Sequence, residues 1–249
     1  MKSKKESAVA RRIRARNITL VIATIIILVI LCLFTPLFGI TEIYVTGNSI
    51  LESENVIIAS GIQEGDNLFR INTKEAENRI NSLGYVEKVE IKRKFLAKIE
   101  IQVTEAKETA YVPFSGNYVG INQDGKVLSL RSSKKFTPKK TVISGMAIKS
   151  CRKGEYIVSK KEGKLELAKS IMKELSGAQM LDSTVKINIA DPKDISLSLN
   201  SETVIILGDK EQLDYKIQCV QAVLEKLGYI RGGKINASDP ANVVYEGGN

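Results

Sequence analysis

From Ile18 to Phe38 the chain runs twenty-one residues without a charged side chain. As a helix this run would extend about 32 Å at 1.5 Å per residue, which matches a bilayer hydrocarbon core of roughly 30 Å. A helix in the core of a soluble domain normally keeps a polar stripe over such a length, and this one has none. A removable export signal has a shorter apolar stretch followed by a small-residue cleavage site, whereas the residues after this run read "TPLFGITEI". The expectation is a retained membrane span over 18–38, anchored by Ile18, Leu20, Leu28, Leu33 and Phe38. Thr19, Thr24 and Thr35 can return their hydroxyls to the helix backbone, and Pro36 falls near the far end, where a break costs little.

Charge sets the direction. Lys2, Lys4, Lys5, Arg11, Arg12, Arg14 and Arg16 face a single Glu6, and no further lysine or arginine occurs before Arg70. Positive residues stay on the cytoplasmic side, so Arg11, Arg12, Arg14 and Arg16 read as the topology signal and about 210 residues lie outside. The net charge of +9 would suggest nucleic acid, but six of those charges sit in the tail. The remainder is an ordinary mixed surface, so no nucleic-acid partner is expected. The tail itself suits anionic lipid heads.

Three cysteines, one of them inside the span, are too few for a disulfide framework, and Cys151 and Cys219 read as unpaired or partly buried thiols. The chain has no histidine, which removes the commonest zinc ligand sets and every histidine-based catalytic device.

Beyond the span, "ITEIYVTGN" alternates Ile43 and Val45 against Glu42, Tyr44 and Thr46 and reads as a strand. Ser49 with Glu52 forms a capping-box pattern for a short helix through Val56, Ile57 and Ala59 that Gly61 ends. Asn72 can cap a second helix carrying Ala76, Ile80 and Leu83, stopped by Gly84. "YVEKVEIKRKF" and "LAKIEIQVTEA" then read as a hairpin, giving strand, helix, helix, strand, strand over 40–108.

Further on, "AYVPF", "NYVGINQ", "KVLSL", "TVISG" and "EYIV" are short strand candidates broken by turn residues. A helix follows over about 160–175, then the strands "VKINIA", "ISLSLN" and "TVIILG". Asp209 is placed to cap a last helix with the stripe Leu213, Ile217, Val220, Leu224 and Leu227. The fold class is α+β: one N-terminal transmembrane helix, a β-α-α-β-β domain, and a mainly antiparallel β domain with helices on one face. The domain reading is a basic tail at 1–17, the span at 18–38, the first outer domain at 40–108, the second at 109–246, and a tail at 247–249.

The ordered set "IYVTGN", "SGIQEGDNLF", "LGYVEKVEIKRKF" and "IEIQVTEAKETAYV" resembles the POTRA domain of the FtsQ/DivIB family of bacterial division proteins. "INQDGKVLSL", "VIILGDKEQLDYKIQCVQAVLEKL" and "GGKINASDPANVVY" are similar to that family's second domain. The resemblance implies a bitopic scaffold of the cell membrane at the division septum. Its implied partners are small bitopic proteins of the FtsB/DivIC and FtsL type, linked indirectly to septal peptidoglycan synthases. It also implies that Ile235, Asn236, Ala237, Val243, Val244 and Tyr245 contact those partners, although Ile235 and Val244 fit a core role equally well. Asn236 stands where the family often carries an acidic residue. The POTRA part could equally recruit other spans or act as a spacer.

The last strands suit partner binding on physical grounds too, since no later segment of this sequence can cover their edge, and an open edge is a template for a partner strand. For chemistry, S-x-x-K matches occur at Ser132/Lys135, Ser150/Lys153 and Ser170/Lys173 among others, without the companion motifs of penicillin-binding enzymes. Neither GxGxxG nor a Walker lysine loop is present. Glu105 and Glu108 read as carboxylates solvating a strand end. No catalytic residue, cofactor, metal or small-molecule substrate is therefore expected. The alternatives are an anchored envelope Ser/Lys peptidase and a ligand-binding sensor.

Overall fold

The computed structural model describes residues 2–34, 38–199, 202–228 and 232–247. Helix α1 spans Lys2–Phe34. Within it Arg14–Leu31 is an apolar stretch long enough to cross a membrane, with none of it buried. Among the described residues it is the one helix long and apolar enough to cross a membrane. It starts earlier than the apolar run because the tail is built from lysine, alanine, arginine and glutamate, all good helix formers. Thr19 and Thr24 donate to the carbonyls of Ala15 and Leu20 at 3.0 and 2.9 Å, as the sequence suggested. Thr35 and Pro36 lie outside the described residues. Phe38 lies beyond the end of α1: its carbonyl accepts the Leu68 N–H at 2.9 Å and its ring meets Phe69 edge-on at 5.2 Å.

The chain divides into two compact units, Met1–Ile80 with Val89–Val103, and Asn81–Lys88 with Thr104–Asn249. The first contains β1 (Glu42–Thr46), α2 (Ser53–Ser60), α3 (Thr73–Asn81), and much of β2 (Val86–Lys94) and β3 (Lys98–Glu105), in the expected order. The strands lie β1-β3-β2, with β1 parallel to β3 and Glu42 opposite Lys98. Ile99, Ile101 and Val103 alternate inward from β3, and Val56, Ala76 and Ile80 of the helices are buried as well. Arg79 locks the two helices together by donating to the Ser60 carbonyl at 2.6 Å.

Helix ends show which local signals won. Gly61 closes α2 at φ 66°, a left-handed conformation that glycine adopts without a steric penalty. Asn72 accepts the Glu75 N–H at 3.2 Å and caps α3. The Ser49/Glu52 capping box does not form. The Asn48 amide instead donates to the Leu51 carbonyl and Ser53 hydroxyl, holding 48–52 as a turn, and the helix starts at Ser53.

The second unit runs β4 (Ala110–Phe114), β5 (Asn117–Ile121), β6 (Val127–Ser132), β7 (Thr141–Ser144), β8 (Ile148–Ser150), β9 (Val158–Ser159), α4 (Lys164–Gly177), β10 (Thr184–Asn188), β11 (Ile195–Leu199), β12 (Val204–Gly208), α5 (Leu213–Leu227), β13 (Lys234–Asn236) and β14 (Val244–Glu246). Nine strands form one sheet in the order β14-β13-β12-β11-β10-β7-β4-β5-β6. Five pairings are antiparallel and three are parallel.

Two parallel pairs, β7 with β10 and β12 with β13, enclose α4 and α5 as crossovers. The antiparallel steps between them leave β7, β10, β12 and β13 pointing the same way. Two right-handed crossovers stepping in one direction along a sheet place both helices on one face. There Ile171, Met172 and Leu175 of α4 meet Ile217 and Val220 of α5 over Ile143, Ile187 and Ile205. The α5 stripe stops short of its last member, since Leu227 is 43% exposed.

Asp209 does not cap α5, which opens on Gln212 in a left-handed conformation. Its carboxylate accepts the Glu211 N–H at 3.0 Å and pairs with Lys216, whose side chain is almost wholly buried.

Candidate partner-binding edge

The candidate edge is built by the turn that reverses β13 into β14. Asp239 accepts the Ala241 N–H at 3.0 Å through its side chain and the Asn242 N–H at 3.1 Å through its carbonyl, which folds the chain back. Asn236 accepts from the Ser238 N–H and hydroxyl at 3.1 and 2.8 Å. An amide oxygen here performs a local structural task that a carboxylate could equally perform. Beneath the turn, the Cys219 thiol of α5 donates to the Pro240 carbonyl at 3.8 Å. Cys151 and Cys219 are both free and half-buried, and burial pushes the Cys151 thiol above its usual range.

β14 pairs with β13 as Lys234–Glu246, Ile235–Tyr245 and Asn236–Val244, and forms one end of the nine-stranded sheet. The six candidate residues divide between the two faces. Ile235 and Ala237 are fully buried, so these two side chains fill the core rather than face a partner. Val243 and Tyr245 lie half-buried against that core. Asn236 and Val244 point outward, with Val244 43% exposed. Of the two that the sequence left open, Ile235 is thus buried in the core and Val244 lies on the surface.

The other end of the sheet, β6, is partly occupied at its start. Val127 donates to the Glu155 carbonyl and accepts from the Gly154 N–H, both at 2.8 Å. Among the described residues β14 has no such cover on its outer side.

The S-x-x-K pairs Ser132/Lys135, Ser150/Lys153 and Ser170/Lys173 lie on the surface, and none of these serines is hydrogen-bonded to its lysine among the described residues. A cleft between α4 and α5 is lined mainly by polar and charged residues, among them Glu166, Glu174, Lys210 and Asp214.

One constellation escaped the sequence reading. Glu108, expected to solvate a strand end, is only 12% exposed. It accepts hydroxyl hydrogens from Tyr85 at 2.5 Å, from Tyr111 at 2.6 Å and from Ser129, and pairs with Arg131 at 3.2 Å. Burial alone would raise its pKa, but these donors together hold it below the ordinary carboxylate range, while both tyrosines are pushed up. Arg131 also lies over the Phe136 ring at 4.9 Å. The partners come from three separate segments, around Tyr85, Tyr111 and β6, so no local pattern announces them.

With this geometry in hand, two family models align to the chain: an FtsQ-type POTRA domain over residues 38–106 and the FtsQ/DivIB C-terminal domain over 110–241. The chain belongs to the FtsQ/DivIB family of cell division proteins. It is 31% identical over 232 residues to a cell division protein DivIB of Clostridium tetani, covering 90% of this chain and 84% of that one. To DivIB of Clostridium acetobutylicum it is 28% identical over 226 residues, 89% and 88% of the two chains. To a cell division protein FtsQ of Corynebacterium glutamicum it is 25% identical over 240 residues, 94% and 98% of the two. The model of the second FtsQ/DivIB domain ends at residue 241, just before the edge strand β14.

Proposed function

We propose that this chain is a bitopic scaffold of the division machinery, with its amino end in the cytoplasm and its two folded units outside, acting at the septum. In this reading the outer edge of β14 takes up a strand from a small bitopic partner of the FtsB/DivIC or FtsL type. Septal peptidoglycan synthases are then supported indirectly through that complex. The observation that carries the reading is the open end of the nine-stranded sheet at β14, with Val244 exposed beside it. An uncovered edge binds through main-chain hydrogen bonds, and alternate side chains supply selectivity. Asn236, Val243, Val244 and Tyr245 are the proposed contacts, whereas Ile235 and Ala237 support them from within. The seven cations ahead of the span against one acid support the orientation.

The test is co-purification of tagged full-length chain with each small bitopic partner from membranes. Removing residues 240–249 is expected to abolish capture while membrane fractionation is unchanged. Capture that survives both this deletion and Val244→Lys would exclude the edge.

A further inference from the structure

The turn between β2 and β3 reads "KRKFLAK", three uncharged residues between four cations. At its tip Phe95 is 88% and Leu96 67% exposed, although both are large and apolar. Leu96 and Ala97 hold φ of 63° and 57° in succession, left-handed positions that hairpins usually fill with asparagine and glycine. The tip thus keeps apolar side chains where the backbone favours others, a pattern that marks functional loops.

Its location names what it touches. The segment leaving the span is clasped on two sides within the first unit. On one side the Ile40 N–H donates to the Asp66 carbonyl and the Gly65 N–H to the Ile40 carbonyl, both at 2.8 Å. On the other, Thr41 donates its N–H to the Ala97 carbonyl at 2.9 Å and its hydroxyl to the Leu96 carbonyl at 3.1 Å. Thr41 follows the end of α1 at Phe34 by seven residues, which can reach at most about 25 Å. Thr41, and the turn bonded to it, therefore stay within reach of the membrane-side end of the first unit, where the chain leaves α1. Phe69, 49% exposed, sits in the loop on the first side.

The geometry points to the Phe95–Leu96 tip as a second, interfacial membrane contact, seated at the boundary of headgroups and acyl chains. Aromatic and aliphatic side chains flanked by cations suit that layer. Lys94 and Lys98 are already paired with Glu100 and Glu42, at 2.8 and 2.5 Å. Apolar insertion therefore leads, and anionic lipid adds little. The inference rests on α1 spanning the bilayer, not on any partner bound at β14.

The chain contains no tryptophan, so Phe95→Trp supplies a single reporter at an exposed position. The full-length variant is reconstituted in phosphatidylcholine vesicles, with and without lipids brominated high on the acyl chain. Emission is expected to shift to the blue and to lose roughly half its intensity to bromine, as for a residue seated 5–10 Å into the boundary. Ile50→Trp, which follows the far end of β1, is expected to keep its full intensity. Water-like, unquenched emission at position 95 would overturn the inference, as would a blue shift without quenching, which signals contact between copies. Equal quenching at position 50 would also overturn it, since the whole unit would then lie on the membrane. Failure of the chain to enter vesicles at all would instead refute the span.

Discussion

The Lys216 ammonium, 3% exposed along its side chain, donates to the Asp209 carboxylate at 2.8 Å and to the Asp209 carbonyl at 3.1 Å. The lysine is buried and its partner is not. Removing the partner strands a cation in the core, whereas replacing the cation with an apolar chain of similar length removes the need for one. Asp209→Asn is therefore expected to lower the melting temperature more than Lys216→Met. The two values from one calorimetric series in detergent check the order.

Glu108 gives a pH dependence of defined sign. Its pKa is depressed in the folded chain, so its contribution is fully present above the unfolded value near 4.3 and is lost as pH falls through the lower folded value. Glu108→Gln is expected to cost about 1–3 kcal/mol at pH 7, because it weakens the acceptor shared by two tyrosines, a serine and an arginine. Denaturant midpoints of the two proteins are expected to converge as pH drops below about 4.

Gly84 sits at φ 81°, and a Cβ built there would lie 2.6 Å from the Leu128 carbonyl oxygen. Backbone cannot withdraw as a flexible side chain can. Gly84→Ala is expected to destabilise by more than the about 1–2 kcal/mol that a left-handed alanine alone costs. Chemical denaturation of the full chain measures it.

Leu96→Asn with Ala97→Gly relieves two left-handed residues at the β2–β3 turn and is expected to raise stability by about 1 kcal/mol or more, read from denaturant midpoints. Added to the Phe95→Trp chain, the same pair is expected to weaken bromine quenching of the indole, because it removes the leucine that seats the tip in lipid.

Much of the first unit was legible because its signals are local. Asn72, Gly61 and the alternation of Ile99, Ile101 and Val103 each act within a few residues of where they were read. The Ser49 and Asp209 caps failed because each end had a competing acceptor or donor nearby, the Asn48 amide in one case and the Lys216 ammonium in the other. The order of the nine strands was not legible. Its parallel pairs join segments distant in the sequence, such as Val142 with Lys186, and alternation says nothing about which strand lies beside which. The Glu108 cluster and the exposure of Phe95 have the same origin, since both depend on what the tertiary fold brings near or leaves bare.

β1 follows helix α1, and the chain passes from β3 into the second unit, so a pull applied along the chain enters β1 at its first residue and leaves β3 at its last. Because the two strands run parallel, that pull slides one along the other. The five registered pairs from Glu42–Lys98 to Thr46–Gln102 must then give way together rather than peel apart singly. The POTRA sheet is in this sense a shear clamp, resisting force applied along the chain.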